Sequence, residues 1–272
     1  VLAVSQGAYS DGMVISAGTA IETIIKNMLQ VVVPPNYAAP TLALGSNIAI
    51  TEIGTTVSPT LTPTWTQNDA GTATAYTLKR GGSGGTTIYS AASPAAYTDS
   101  SAYQLTTATQ YYARTDYGQG PLKQDNTGAD FPTGRIAAGF KEATATLTPR
   151  RRVFYWADTS TDIPTTRAQF IAAHATPVFF IASGLEIAIP QGAKRVVIAV
   201  PQSAGLTLNT NSIFYVQLNG FVGDTFTLLN PAPLIGGASD YSPIAYTVYY
   251  YITGSGFGSA ATYRLLFTVN AT

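Results

Sequence analysis

The sequence predicts a mainly β protein: a short N-terminal helix, an antiparallel β-sandwich, and a second sandwich-like β domain carrying a short helix. Three observations predict it. The 272 residues run in short stretches rich in Thr, Tyr and β-branched residues, the types that suit a pleated, half-buried surface. Pro, Gly, Asn and Asp cluster between those stretches, as turns require. Apolar residues recur at helical spacing in only two places. The resulting segments are 1–38, with the helix, 39–149, the first sandwich, and 150–272, the second β-rich domain.

Charged residues make up 10% of the chain, against about 25% in an average globular protein. The chain is therefore short of the groups that do acid, base or metal chemistry. It has no cysteine and a single histidine, His174, which excludes disulfides and cysteine-ligated metal. The formal net charge of zero supplies no pull toward nucleic acid or an anionic membrane. A spanning helix needs about 20 apolar residues. The longest apolar tract near the N-terminus, Ile24 to Val33, is interrupted by Lys26, Asn27 and Gln30 and stopped by Pro34–Pro35. Neither membrane insertion nor a signal peptide is expected, since the N-terminus also lacks a positive flank.

Taken in order, Thr19-Ala-Ile-Glu22 fits a capping box, with Ile21, Ile24, Ile25, Met28 and Leu29 following at helical spacing. Such a helix is about three turns long and marginal alone, so its apolar stripe is expected to dock. Strands are expected at Thr41–Leu44, Ile48–Ile53, Thr56–Thr66, Ala75–Arg80, Thr86–Ser90, Thr109–Asp116 and Glu142–Leu147, enough for a sandwich. Alternation in Leu61-Thr-Pro-Thr-Trp65 places Trp65 on an inner face. Gly81-Gly-Ser-Gly-Gly85 lacks the Gly-Lys-Ser/Thr ending of a phosphate loop and reads as a hairpin tip. Gly118 to Gly134 reads as a surface loop.

Arg150-Arg151-Arg152 marks the domain junction, as a solvated hinge or as arginines pairing with carboxylates. Beyond it, Val153–Ala157 reads as strand and Thr165–Ala173 as a short helix started by Pro164. Further strands are expected at Val178–Ile181, Leu185–Ile189, Arg195–Val200, Ile213–Leu218, Phe226–Leu229, Ile244–Ile252 and Thr262–Val269. The last two are expected to close as a hairpin through Gly254 to Ala261.

Three tracts carry a resemblance. The first is Asp11-Gly12…Ile15…Ala17-Gly18-Thr19…Glu22…Ile25-Lys26…Met28-Leu29…Pro34-Pro35…Tyr37…Pro40-Thr41-Leu42, followed by Glu52-Ile53-Gly54-Thr55. The second is Arg151-Arg152-Val-Phe154-Tyr155 with Pro164-Thr165. The third joins Ile189-Pro190-Gln-Gly192-Ala-Lys194-Arg-Val196 and Val197-Ile198-Ala199-Val-Pro201 to Gly237-Ala238…Tyr241…Ile244-Ala245-Tyr246-Thr-Val248-Tyr249. In this order they resemble a family of virion proteins from tailed phages and prophages of Bacteroidetes bacteria. The resemblance implies that the first sandwich is immunoglobulin-like. It also implies a non-enzymatic tail, baseplate or fibre-like component, assembled in the host cytoplasm and extracellular in the mature particle.

The candidate sites are correspondingly few. No catalytic, cofactor or metal site is expected. His174 has no nucleophile pattern around it, and no pair of carboxylates is seen to converge as a depolymerase would need. Asp125-Asn-Thr-Gly-Ala-Asp130 could offer Asp125 and Asp130 to calcium but lacks EF-hand spacing, and an ordinary Asx turn is the competing reading. Ile21, Ile24, Ile25, Met28 and Leu29 are the expected docking residues. Among the seventeen tyrosines, Tyr111, Tyr112, Tyr249, Tyr250 and Tyr251 are the candidates for a subunit interface or a glycan-facing surface. In a strand of period two, Tyr249 and Tyr251 share one face and Tyr250 takes the other. The expected partners are other virion proteins and copies of the chain itself, with a host surface glycan as the alternative.

Overall fold

Strands account for 44% of the structure and helices for 9%, so the fold is mainly β. The computed structural model describes residues 14, 16–29, 31–179, 184–204, 206–208, 214–215, 220–221 and 226–269. The strands of five residues or more among them are β1 (Thr41–Ser46), β2 (Thr60–Thr66), β3 (Ala73–Arg80), β4 (Thr86–Ala91), β5 (Thr109–Tyr117), β6 (Gly139–Arg150), β7 (Phe154–Asp158), β8 (Gly184–Ile189), β9 (Arg195–Pro201), β10 (Ile244–Ile252) and β11 (Ala261–Val269). The helices are α1 (Ile21–Leu29) and α2 (Arg167–Ala173). The expected strand Ile213–Leu218 is described only at Phe214–Tyr215, and Val178 makes just an isolated bridge to Val153.

The chain divides into two units, and not at a single cut. The first holds Val1–Asn47, Pro59–Asp99 and Gln110–Thr146; the second holds Ile48–Ser58, Ser100–Thr109 and Leu147–Thr272. The junction expected after Pro149 falls inside β6, because that strand continues to Arg150 and its end pairs in parallel with Ile50–Glu52. The expected strand Thr56–Thr66 is likewise two pieces. Thr56–Val57 pairs with Tyr103–Gln104 in the second unit, whereas β2 starts at Thr60 and pairs with β1 in the first. Ser58–Pro59 lies between them.

In the first unit, β1, β2 and Tyr97–Thr98 form one sheet, and β6, β5, β3 and β4 lie side by side in another. Side chains alternate as the strand period demands: Leu61, Tyr76, Leu78, Tyr111 and Ala113 are fully buried. Gly81–Gly85 is the tip between β3 and β4, with Gly81 at φ +95° and Gly82 at φ +80°, where residues with a Cβ are strained. The 118–134 excursion contains a small hairpin, Lys123–Gln124 with Asp130–Phe131.

The second unit is built on two sheets. One runs β7–β9–β10 to Thr227–Leu228, the other β8–β11 to Phe214–Tyr215 and Gly220–Phe221. β10 and β11 do not form the expected hairpin: β10 pairs with β9 and β11 with β8, so the connection crosses from one sheet to the other. Phe257 anchors the connection. It packs against the core between the sheets, and backbone bonds in both directions, Phe257 N to Ala193 O and Gly192 N to Phe257 O, hold it to the 190–194 turn. Ile187, Val196, Ile198, Tyr249, Tyr263 and Leu265 belong to that core. A second core lies on the other face of β7–β9–β10, where Phe154, Trp156, Val197, Ala199, Tyr246 and Val248 meet Phe170 of α2. β9 is buried at every position, and its apolar run from Val196 to Pro201 fits a strand covered on both faces.

Candidate functional site

α1 begins one residue later than its capping box implies. The first intrahelical bond runs from Ile24 N to Ala20 O, and the Thr19 hydroxyl donates backward to Ser16 O at 2.8 Å. The expected stripe splits in two. Ile24 and Met28 are half-buried, while Ile21, Ile25 and Leu29, four residues apart along one face, are 75%, 50% and 78% exposed. Val14, Val31 and Val33 are also exposed, so half of the exposed large apolar side chains among the described residues lie within 14–33. Asn126 of the 118–134 excursion holds the segment after α1: its Oδ1 accepts from Val33 N at 2.7 Å, and its Nδ2 donates to Val31 O at 2.9 Å.

The tyrosines are distributed differently from a glycan platform. Tyr111 is buried and donates to Asp99 Oδ2 at 2.8 Å; the same oxygen pairs with Arg80 Nη1 at 3.0 Å. Tyr112, on the opposite face, is also buried and donates to Glu142 Oε1. Burial, and then the Glu142 carboxylate, push the Tyr112 hydroxyl up to about 12. Neither ring is available to a sugar, so the glycan-facing expectation for Tyr111 and Tyr112 is corrected: both are internal. Tyr249 and Tyr251 sit against the core between the sheets and Tyr250 against the α2 core, as period two requires. Tyr249 is buried, which removes it too from the exposed candidates.

The acidic groups serve as structural anchors. Glu52, 5% exposed, accepts from Arg152 Nε at 2.7 Å and from Arg167 Nη2 at 2.9 Å. Arg151 donates to the carbonyls of Tyr241 and Ser242. Two of the three junction arginines therefore have fixed structural partners. His174 closes α2 through its backbone N–H to Phe170 O, and its ring lies 4.8 Å from that of Tyr155. Burial, with Arg152 nearby, holds its imidazole below the ordinary histidine range. Asp158 pairs with Arg195 through both oxygens, at 2.7 and 2.8 Å. Burial would raise its carboxyl, but the Arg195 guanidinium outweighs burial and holds it below the usual range. At the suspected calcium turn, Asp125 Oδ1 accepts from Thr127 N, Thr127 Oγ1 and Ala129 N, the hydrogen bonds of an Asx turn, while Asp130 accepts from Gln124. Among the described residues no cluster of three or more His, Asp or Glu is placed to hold a metal ion.

The feature that sequence reasoning missed is a groove in the first unit. Leu61, Pro63 and Trp65 share a face of β2, as the alternation predicts, but burial declines along it and Trp65 ends half-buried. The groove has a volume of about 480 Å³ and is lined by Pro63, Trp65, Gln67, Thr72, Ala73, Ser93 and Pro94. Tyr117, at the end of β5, stands beside Trp65 with ring centroids 5.7 Å apart and planes inclined at 36°. The wall near Thr72 depends on glycine. A Cβ on Gly71 would come within 2.5 Å of Gln119 O, and one on Gly120 within 1.9 Å of Asp69 O. The sequence signal was the Pro-Thr-Trp triplet, which gives the face but not where the covering layer ends.

Compared with known protein-family models, curated proteins and solved structures, the chain finds no match.

Proposed function

We propose that this chain is a non-enzymatic structural component of a phage virion, in a tail, baseplate or fibre-like appendage, that works by docking α1 onto another subunit. The observation that carries the reading is the exposed Ile21, Ile25 and Leu29 stripe. A nine-residue helix is too short to be stable in water by its own hydrogen bonds. Covering three such side chains contributes about 1.5–3 kcal/mol each. A second copy of the chain or another virion protein would supply that cover. The consumption of Glu52, Asp99 and Asp158 in internal ion pairs fits a scaffold.

The test uses the full chain. Ile25→Asp should lower the association constant between subunits, read as a shift to smaller species in concentration-dependent light scattering, or incorporation into particles, by about tenfold or more, since a buried unpaired carboxylate costs well over 1.4 kcal/mol. Its near-UV circular dichroism should be unchanged. Normal incorporation together with unchanged oligomeric mass would refute the docking role. The alternative, a carbohydrate-binding adhesin module, cannot rest on Tyr111, Tyr112 or Tyr249.

A further inference from the structure

We infer that the Trp65 groove is a binding subsite for a neutral saccharide. Its lining contains no charged residue, so an ionised ligand would lose water without gaining a counter-charge. Its lining is largely apolar and aromatic: Trp65, whose ring meets that of Tyr117, with Pro63, Ala73 and Pro94. A pyranose ring presents C–H faces that lie on such a surface while its equatorial hydroxyls point to the sides. The lining also carries polar groups that can meet them. Trp65 Nε1–H and the hydroxyls of Thr72 and Ser93 have no hydrogen-bond partner among the described residues. Gln67 Nε2 is committed to Ala70 O at 3.0 Å, which leaves its Oε1 to accept.

A groove of aromatics and prolines can also take a proline-rich peptide. That ligand offers carbonyl acceptors and few N–H donors, so it would leave Gln67 Oε1 unmatched. Sugar hydroxyls donate and accept at each point of contact, and the saccharide is the better complement. The volume suits one or two sugar rings, so the affinity of one subsite is weak and several copies on one assembly would raise it by avidity. The inference is independent of α1 docking and fails or stands separately from it.

The chain has two tryptophans, Trp65 and Trp156, and Trp156 is buried in the other unit. Trp156→Phe therefore leaves Trp65 as the sole indole reporter in the full chain. Titration with gluco-, manno-, xylo- and N-acetylglucosamine oligosaccharides of four to six units should shift its emission, with a Kd of roughly 0.1–10 mM for at least one. Trp65→Ala, read by calorimetry, should weaken that binding by about tenfold or more. Ser93→Arg, which fills the groove from an exposed loop without disturbing β2, should abolish it. No emission change with any of the oligosaccharides, binding that survives both substitutions, or tighter binding of decaproline than of every saccharide would each overturn the inference.

Discussion

At the scale of single residues, Glu52 holds the most consequential position. Its carboxylate is the shared acceptor of Arg152 and Arg167, both mostly buried. Replacing it leaves two guanidiniums close together with no counter-charge. Glu52→Gln should cost about 3 kcal/mol, the low end for orphaning a buried ion pair because both arginines keep some contact with water. The measurement is the urea midpoint of the second unit. Glu22→Gln, which removes an exposed helix pair with Lys26 at 2.7 Å, provides the contrast and should leave stability unchanged. Equal midpoints for the two variants would show that the buried triad contributes nothing.

Among the elements, α2 shows how one side chain fixes a short helix. Thr166 and Gln169 form a reciprocal capping box, satisfying donors at the helix start. Phe170 is its only fully buried residue, 5.2 Å from the ring of Phe154 and 5.8 Å from that of Trp156. Caps set where a helix begins, but seven residues need packing to persist. Phe170→Ala should therefore cost about 3–5 kcal/mol, and amide exchange across Arg167–Ala173 should accelerate more than across β9. Uniform acceleration would instead mean that α2 opens only with the whole unit. α1 is the opposite case: Ile21, Ile25 and Leu29 of its stripe are exposed in the structure.

For the whole molecule, the second unit includes two segments, 48–58 and 100–109, that interrupt the first. Ile50–Glu52 pairs with the end of β6, and Glu52 neutralises arginines at positions 152 and 167. Ile53 accepts from Ala238 N at 2.8 Å, and Gly54, at φ +87°, lies where a Cβ would meet Tyr241 Cβ at 2.4 Å. A fragment starting at Arg150 lacks all of these. It should unfold at clearly lower urea than the same unit in the full chain, read by near-UV circular dichroism of its aromatic cores. A fragment as stable as the parent would mean that 48–58 and 100–109 lie on the unit without supporting it.

The sequence by itself determined the mainly β class and the positions of most strands and both helices. It also settled the facing of Tyr249, Tyr250 and Tyr251, because side-chain period, turn residues and caps are local properties. Tertiary structure alone decided which strands pair. β10 and β11 read as a hairpin by length and composition, yet β10 pairs with β9 and β11 with β8, with Phe257 of their connection packed against the core. It also decided burial: Tyr111 and Trp65 both alternate inward, but one is sealed and the other is half-buried and lines a groove. The physical reason is common to both. Periodicity states which way a side chain points, whereas the layer it meets is set by residues distant in sequence, and those determine partner, exposure and site.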